Sequence, residues 1–130
     1  MNEENQRTPD SRVSLDGVGV HSGERATLAI LPAEPDTGIL FRRTDLEGSP
    51  EIPADLDHVV GTELGTSLGT GDVQVLTVEH LMAALFAHGV TNAVIELDGP
   101  EPPIRDGSFR DYYRGLADVG IRDQEGEVPL

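Results

Sequence analysis

The feature that most constrains this chain is a run of short apolar–polar alternations, each cut off by glycine or proline. A period of two marks a half-buried strand, and this punctuation keeps the strands to a few residues. RVSLDGVGVHSGE alternates from Val13 and is broken by Gly17, Gly19 and Gly23; ATLAILPAE ends at Pro32; GILFRRTDL is a third strand. EIPADL is short and interrupted by proline, which restricts it to a sheet edge because proline has no N–H for a ladder. GTELGTSLGTGDVQVLTV reads as two strands, near residues 66–68 and 73–76, joined by a glycine-rich turn at 69–72. NAVIELDG is a further strand, stopped by Asp98-Gly99-Pro100.

Two stretches break this period. In VLTVEHLMAALFAHGV, Val78, Leu81, Met82 and Leu85 fall at i, i+3, i+4 and i+7, the stripe of an amphipathic helix. Thr77 is its expected N-cap, and Gly89 follows its end. The second helix starts in DGSFRDYYRGLADVGI, where Ser108 and Asp111 have capping-box spacing and Phe109, Tyr112, Tyr113 and Leu116 form the stripe. Strands first, then helix, strand and helix, predict an α+β fold: one two-layer domain with a mixed or antiparallel sheet of about five strands on two helices. Residues 13–121 form that domain. Residues 1–12 are polar and read as a flexible tail, and residues 122–130 as the start of an interdomain linker or a C-terminal tail.

The charge balance narrows the function. Net charge is −15 and every basic residue is Arg, so the chain lacks the basic face a nucleic-acid binder needs. No apolar run approaches the ~20 residues of a membrane span, and MNEENQRTPDSR lacks the apolar region of a signal peptide. With no cysteine there is neither a disulfide nor a thiolate metal site, and a cytoplasmic location is expected.

Opening the first helix, Glu79 and His80 are either ordinary polar residues or half of a metal site. They share the arc opposite the core stripe with Ala83 and Ala87, small residues that let another surface approach closely. A helix N-terminus favours a carboxylate and a neutral imidazole, the form of histidine that binds metal. A carboxylate next to a metal-bound water can serve as general base in hydrolysis. Against this, the position four beyond His80 is Ala84, so there is no HExxH pair. His88 lies roughly 80° around the helix from His80, and His58 and His88 read as surface or half-buried histidines. GVGVHSG does not open a helix as a phosphate loop does; it reads as a tight hairpin with His21 near its tip. PPIRDGS is a rigid turn into a helix that Asp106 helps to fix.

SLDGVGVHSGE, DTGILFRRTDL, IPA, TSLG, VLTVEHLMAAL and GVTNAVIELDGPEPPIRDGS occur in this order, from about Val13 to Ile121. Together they closely resemble the N-terminal half of UDP-3-O-acyl-N-acetylglucosamine deacetylases, the LpxC family, zinc hydrolases of lipid A biosynthesis. The resemblance implies two α+β domains packed helix layer to helix layer with the active site between them. It implies that His80 is a zinc ligand and Glu79 the general base, acting on the N-acetyl amide of UDP-3-O-acyl-N-acetylglucosamine to release acetate. Leu64 and Thr66 would line the substrate site, with His21 and Asp106 shaping it. The family's other zinc ligands, a His and an Asp, lie in its C-terminal half, whereas this sequence stops at IRDQEGEVPL, about where the interdomain linker begins. Gly65 stands where some relatives carry Cys or another larger residue, and Arg105 replaces the aliphatic residue usual before DGS. The expected Zn²⁺ site is therefore incomplete here, and the expected partner is a C-terminal deacetylase domain or a full-length homologue. The alternative is a non-catalytic stand-alone domain whose helix face serves self-association, as a homo-oligomer, or enzyme binding.

Overall fold

A computed structural model describes residues 5–61, 66–104 and 108–127. Its strands are β1 (Asn5–Pro9), β2 (Val13–Val18), β3 (Arg25–Leu31), β4 (Ile39–Arg43), β5 (Glu51–Pro53), β6 (Val59–Gly61), β7 (Ser67–Thr70), β8 (Val73–Val75), β9 (Ala93–Leu97) and β10 (Ile121–Glu127). Two helices, α1 (Glu79–Ala87) and α2 (Ser108–Val119), flank β9 in sequence. The main sheet has five strands in the order β2-β3-β9-β4-β5. It is mixed, because β4 and β9 run parallel while the other pairs are antiparallel. The expected α+β fold is what the chain adopts. β5, with its terminal Pro53, takes the edge that proline requires.

The alternation does what its period dictates. Ala26, Leu28 and Ile30 of β3 and Ala93, Ile95 and Leu97 of β9 turn to one face and are buried. They form one core with Phe41 and Ile52 of the sheet, Leu81, Ala84 and Leu85 of α1, and Tyr112 and Leu116 of α2. Gly115 lets α2 sit against β2, since a Cβ there would lie 2.7 Å from Val13 Cγ1. The small sheet β6-β7-β8 is tied to the large one by buried Arg43, which grips Asp45 through Nε and Nη2 (2.8 and 2.7 Å) and donates from Nη1 to the Gln74 carbonyl at 2.7 Å. The β7–β8 connection is tighter than its glycines suggest. Gly69 and Thr70 belong to β7, leaving Gly71, at φ +58°, and Asp72 as a two-residue turn.

The chain ends depart from expectation. Asn5–Pro9, placed in the tail by its polarity, is β1, and it pairs with β10 where a linker was expected. Gln6 and Thr8 of this strand are buried because each finds a partner. Thr8 Oγ1 donates to the Asn92 carbonyl (2.8 Å) and accepts from Ala33 N–H (2.9 Å). Gln6 Oε1 accepts from Asp36 N–H (2.7 Å) and from Asn92 Nδ2 (2.8 Å), and the same Nδ2 donates to Gln124 of β10 at 2.8 Å. Buried polar groups are tolerated when satisfied in this way.

Two helix details also differ. Thr77 does not cap α1; Val78 holds that position with no side-chain capping bond. In α2, Tyr112 and Leu116 are buried as expected, but Phe109 and Tyr113 stand 40% and 41% exposed. Tyr112 and Leu116, four apart, share the face that meets the core, and Tyr113, one residue and so about 100° further round the helix, is turned away from it with Phe109. Tyr113 instead stacks on His88 (centroids 4.1 Å apart) and lies 5.7 Å from the Phe109 ring. The capping box at Ser108 involves a side chain outside those described. The end of α1 follows the glycine rule. Gly89, at φ +71°, donates to Phe86 O at 2.9 Å and Val90 to Leu85 O at 3.0 Å, a Schellman pair. Among the described residues, no helix is long and apolar enough to cross a membrane.

Candidate active site at the start of the first helix

Glu79 and His80 occupy the first turn of α1, and both are half-buried. Their position is set by a two-point backbone clamp. Val78 N–H donates to Thr66 O at 3.0 Å, and Thr66 N–H donates to Glu79 Oε1 at 3.0 Å. Thr66, expected to touch substrate, thus holds the Glu79 carboxylate through its backbone. Leu64 and Asp106 lie outside the described residues, as does Arg105.

The turn entering α1 is strained. Thr77 is β-branched yet sits at φ +56°, a conformation that costs on the order of 1–3 kcal/mol. Close to this turn lies Glu101, 1% exposed and the one buried carboxylate among the described residues. Its Oε1 accepts from Ser22 N–H (2.8 Å) and His21 N–H (3.0 Å), and its Oε2 from His21 Nδ1 (3.1 Å). His21 Nδ1 also lies 3.0 Å from Thr77 Oγ1. Nδ1 carries the proton by inference, since the carboxylate can only accept. Burial opposes ionisation of Glu101. Hydrogen bonds from the Thr77 hydroxyl, from the Ser22 and His21 backbones and from the Ser22 side chain outweigh it, holding the carboxyl below its usual range. The hairpin glycine is needed for this approach, because a Cβ on Gly19 would stand 2.4 Å from Glu101 Oε1. His21 is therefore at a hairpin tip, as expected, and joined to the turn before α1.

The other histidines are engaged elsewhere. His58 Nδ1 pairs with Asp55, and His88 Nε2 faces the Tyr113 carbonyl at 2.9 Å. Among the described residues no group of three or more His, Cys, Asp or Glu could hold a metal ion. The donors present do not fit a complete zinc site; His80 offers one imidazole, and catalytic zinc takes about three protein ligands.

Ala83 and Ala87 are exposed, and Phe86 extends their face at 86% exposure. Phe86 escaped the sequence reading, although its offset of three from Ala83 places it on that arc. Glu101 and the strain at Thr77 had no local signal at all: the Glu101–His21 contact spans 80 residues of sequence.

A family model for UDP-3-O-acyl N-acetylglycosamine deacetylase (LpxC) matches residues 6–129. The chain is 52% identical over 126 residues to a UDP-3-O-acyl-N-acetylglucosamine deacetylase of Myxococcus xanthus, covering 97% of this chain and 40% of that protein. It is 47% identical over 120 residues to a bifunctional enzyme LpxC/FabZ of Chlorobaculum tepidum, covering 92% of this chain and 26% of the relative. Against a UDP-3-O-acyl-N-acetylglucosamine deacetylase of Geobacter sp. (strain M21), identity is 44% over 117 residues, 90% of this chain and 38% of that one. The chain thus spans well under half the length of these relatives, matching their N-terminal part.

Proposed function

The chain belongs to the UDP-3-O-acyl N-acetylglycosamine deacetylase family, and from that premise we propose that it carries the general base and one metal ligand of such a deacetylase. The observation that carries this reading is the pairing of Glu79 and His80 on one helical turn, with the Glu79 carboxylate held by Thr66 N–H. Glu79 takes the proton from the water that attacks the N-acetyl amide carbonyl of UDP-3-O-acyl-N-acetylglucosamine. The C–N bond breaks as that proton is passed on to the departing nitrogen, which leaves as the free amine, and acetate is released. His80 supplies one imidazole nitrogen toward zinc, and the remaining donors come from a second domain corresponding to the rest of the relatives' length. That domain docks on the face of Ala83, Phe86 and Ala87, which would otherwise leave a bare aromatic ring in water. The lack of cysteine suits the cytoplasm, where we place the reaction.

The test is reconstitution. Mixed with the separately expressed remainder of the Myxococcus xanthus relative and with zinc, the chain should release acetate from the substrate. A folded chain that gives no acetate with this or any other relative's remainder would contradict the proposal.

A second reading draws on the exposed Phe86 alone: a non-catalytic module that self-associates or binds a full-length enzyme through α1. Sedimentation would show a dimer that Phe86→Asp dissociates. A monomer at all concentrations, with no binding to a full-length relative, would dispose of it.

A further inference from the structure

Nothing in the proposed chemistry uses Glu101, yet it is the most elaborately partnered carboxylate described. The geometry points to Glu101 as a positioning residue that fixes the first turn of α1, and with it Glu79 and His80, through the hydroxyl of Thr77. This rests on the proposed function only for its catalytic consequence.

The chain between β8 and α1 must turn sharply, and it does so without a side-chain cap. Leu76 N–H donates to Pro100 O at 2.7 Å, which fixes one side of the turn. Glu101, the next residue, reaches the other side through His21, whose Nδ1 lies 3.1 Å from Glu101 Oε2 and 3.0 Å from Thr77 Oγ1. Thr77 stands three residues before His80 and holds a left-handed backbone that its branched side chain disfavours. Such a conformation persists only when its surroundings over-determine it. Here the surroundings are a carboxylate anchored by two backbone N–H groups of the β2–β3 hairpin and by the His21 ring. The hairpin is rigidly set on the sheet, with β2 and β3 in register from Val13↔Ile30 to Val18↔Arg25. Position information therefore runs from the sheet through Glu101 to Thr77 and into the helix that bears the reactive pair. Removing the link should let the first turn fray while the rest of α1 stays packed on the core.

Amide hydrogen exchange on the chain itself tests this. Met82 N–H, bonded to Val78 O at 3.0 Å, reports closure of the first turn, and Thr66 N–H reports the Glu79 carboxylate. In Glu101→Gln both should exchange roughly tenfold faster or more, with the Ile95 and Leu28 amides of the sheet unchanged. Should Glu101→Gln fail to fold, Thr77→Val, which loses the hydroxyl, should show the same selective loss, and Thr77→Ser, which keeps it, should restore protection. Unchanged protection at Met82 and Thr66, a uniform acceleration across the sheet, or equal behaviour of the Val and Ser variants would each overturn the proposal. In the reconstituted enzyme, the same variants should lower kcat with KM little changed, and Thr77→Ser should recover kcat. A KM effect alone would also count against positioning. Absence of any acetate release by the unmodified pair would sink the proposed function and leave the exchange result to decide the role of Glu101.

Discussion

The backbone N–H of Thr66 meets Glu79 Oε1 at 3.0 Å, while Thr66 O receives the N–H of Val78 at the same distance. One residue outside the helix thus holds both its cap position and its first carboxylate. A side chain fixed by a backbone donor loses little freedom when it acts, which is what a base in a water-attack reaction needs.

Replacing Glu79 by Gln keeps an oxygen for Thr66 N–H and removes only the basicity. The expected result is an unfolding midpoint close to that of the parent and acetate release by the reconstituted enzyme lower by roughly 10²- to 10⁴-fold. Urea unfolding and a single-substrate acetate assay on the same preparation check both halves.

Acid should weaken the fold partly through Glu101. Its folded-state pKa lies below the ordinary value of 4.5, so the unfolded chain binds its proton first as pH falls. The stabilisation is fully present above 4.5, declines as pH drops through it, and is gone once the lower folded value is passed. Urea midpoints measured from pH 7 to 3 should fall on the acid side, and Glu101→Gln should flatten that fall while lowering the plateau at pH 7.

Adjacent residues of α1 should behave oppositely. Leu85 is fully enclosed in the core, so Leu85→Ala should cost about 2–5 kcal/mol of stability. Phe86 points away from it, so Phe86→Ala should change stability by no more than about 0.5 kcal/mol and yet weaken binding of the second domain. Denaturant curves and titration calorimetry separate the two effects.

Gly89 meets two demands at once. Its φ of +71° closes α1, and a Cβ there would lie 2.9 Å from Arg7 Nη1, which donates to the His88 carbonyl at 3.1 Å. Gly89→Ala should destabilise the chain by about 1 kcal/mol or more, and Thr91 N–H, bonded to Arg7 O, should lose exchange protection.

What could be read from the sequence was whatever depends on neighbours along the chain. Alternation located β3 and β9, proline put β5 at an edge, and the period of 3.6 located α1 and its buried face. Glu79 and His80 were visible because adjacency at a helix start is a local property. Long-range hydrogen bonding was not visible. Gln6 and Thr8 look like tail residues until Asn92, more than eighty positions away, supplies their partners. Thr77 looked like a cap for the same reason: the rule assumes that its hydroxyl turns to the helix, whereas His21 and Glu101 draw it the other way. The exposure of Phe109 and Tyr113 reflects the placement of α2 against α1, which periodicity alone leaves free.

The central claim is that His80 is one donor of a zinc site completed by another stretch of polypeptide. Equilibrium dialysis of zinc against the chain, the separately made remainder of a relative, and their mixture tests it most directly. The account predicts negligible retention by the chain alone, one tightly held zinc per mixed pair, and loss of that zinc in His80→Ala. A mixed pair that keeps its zinc undiminished when His80 is replaced would contradict it.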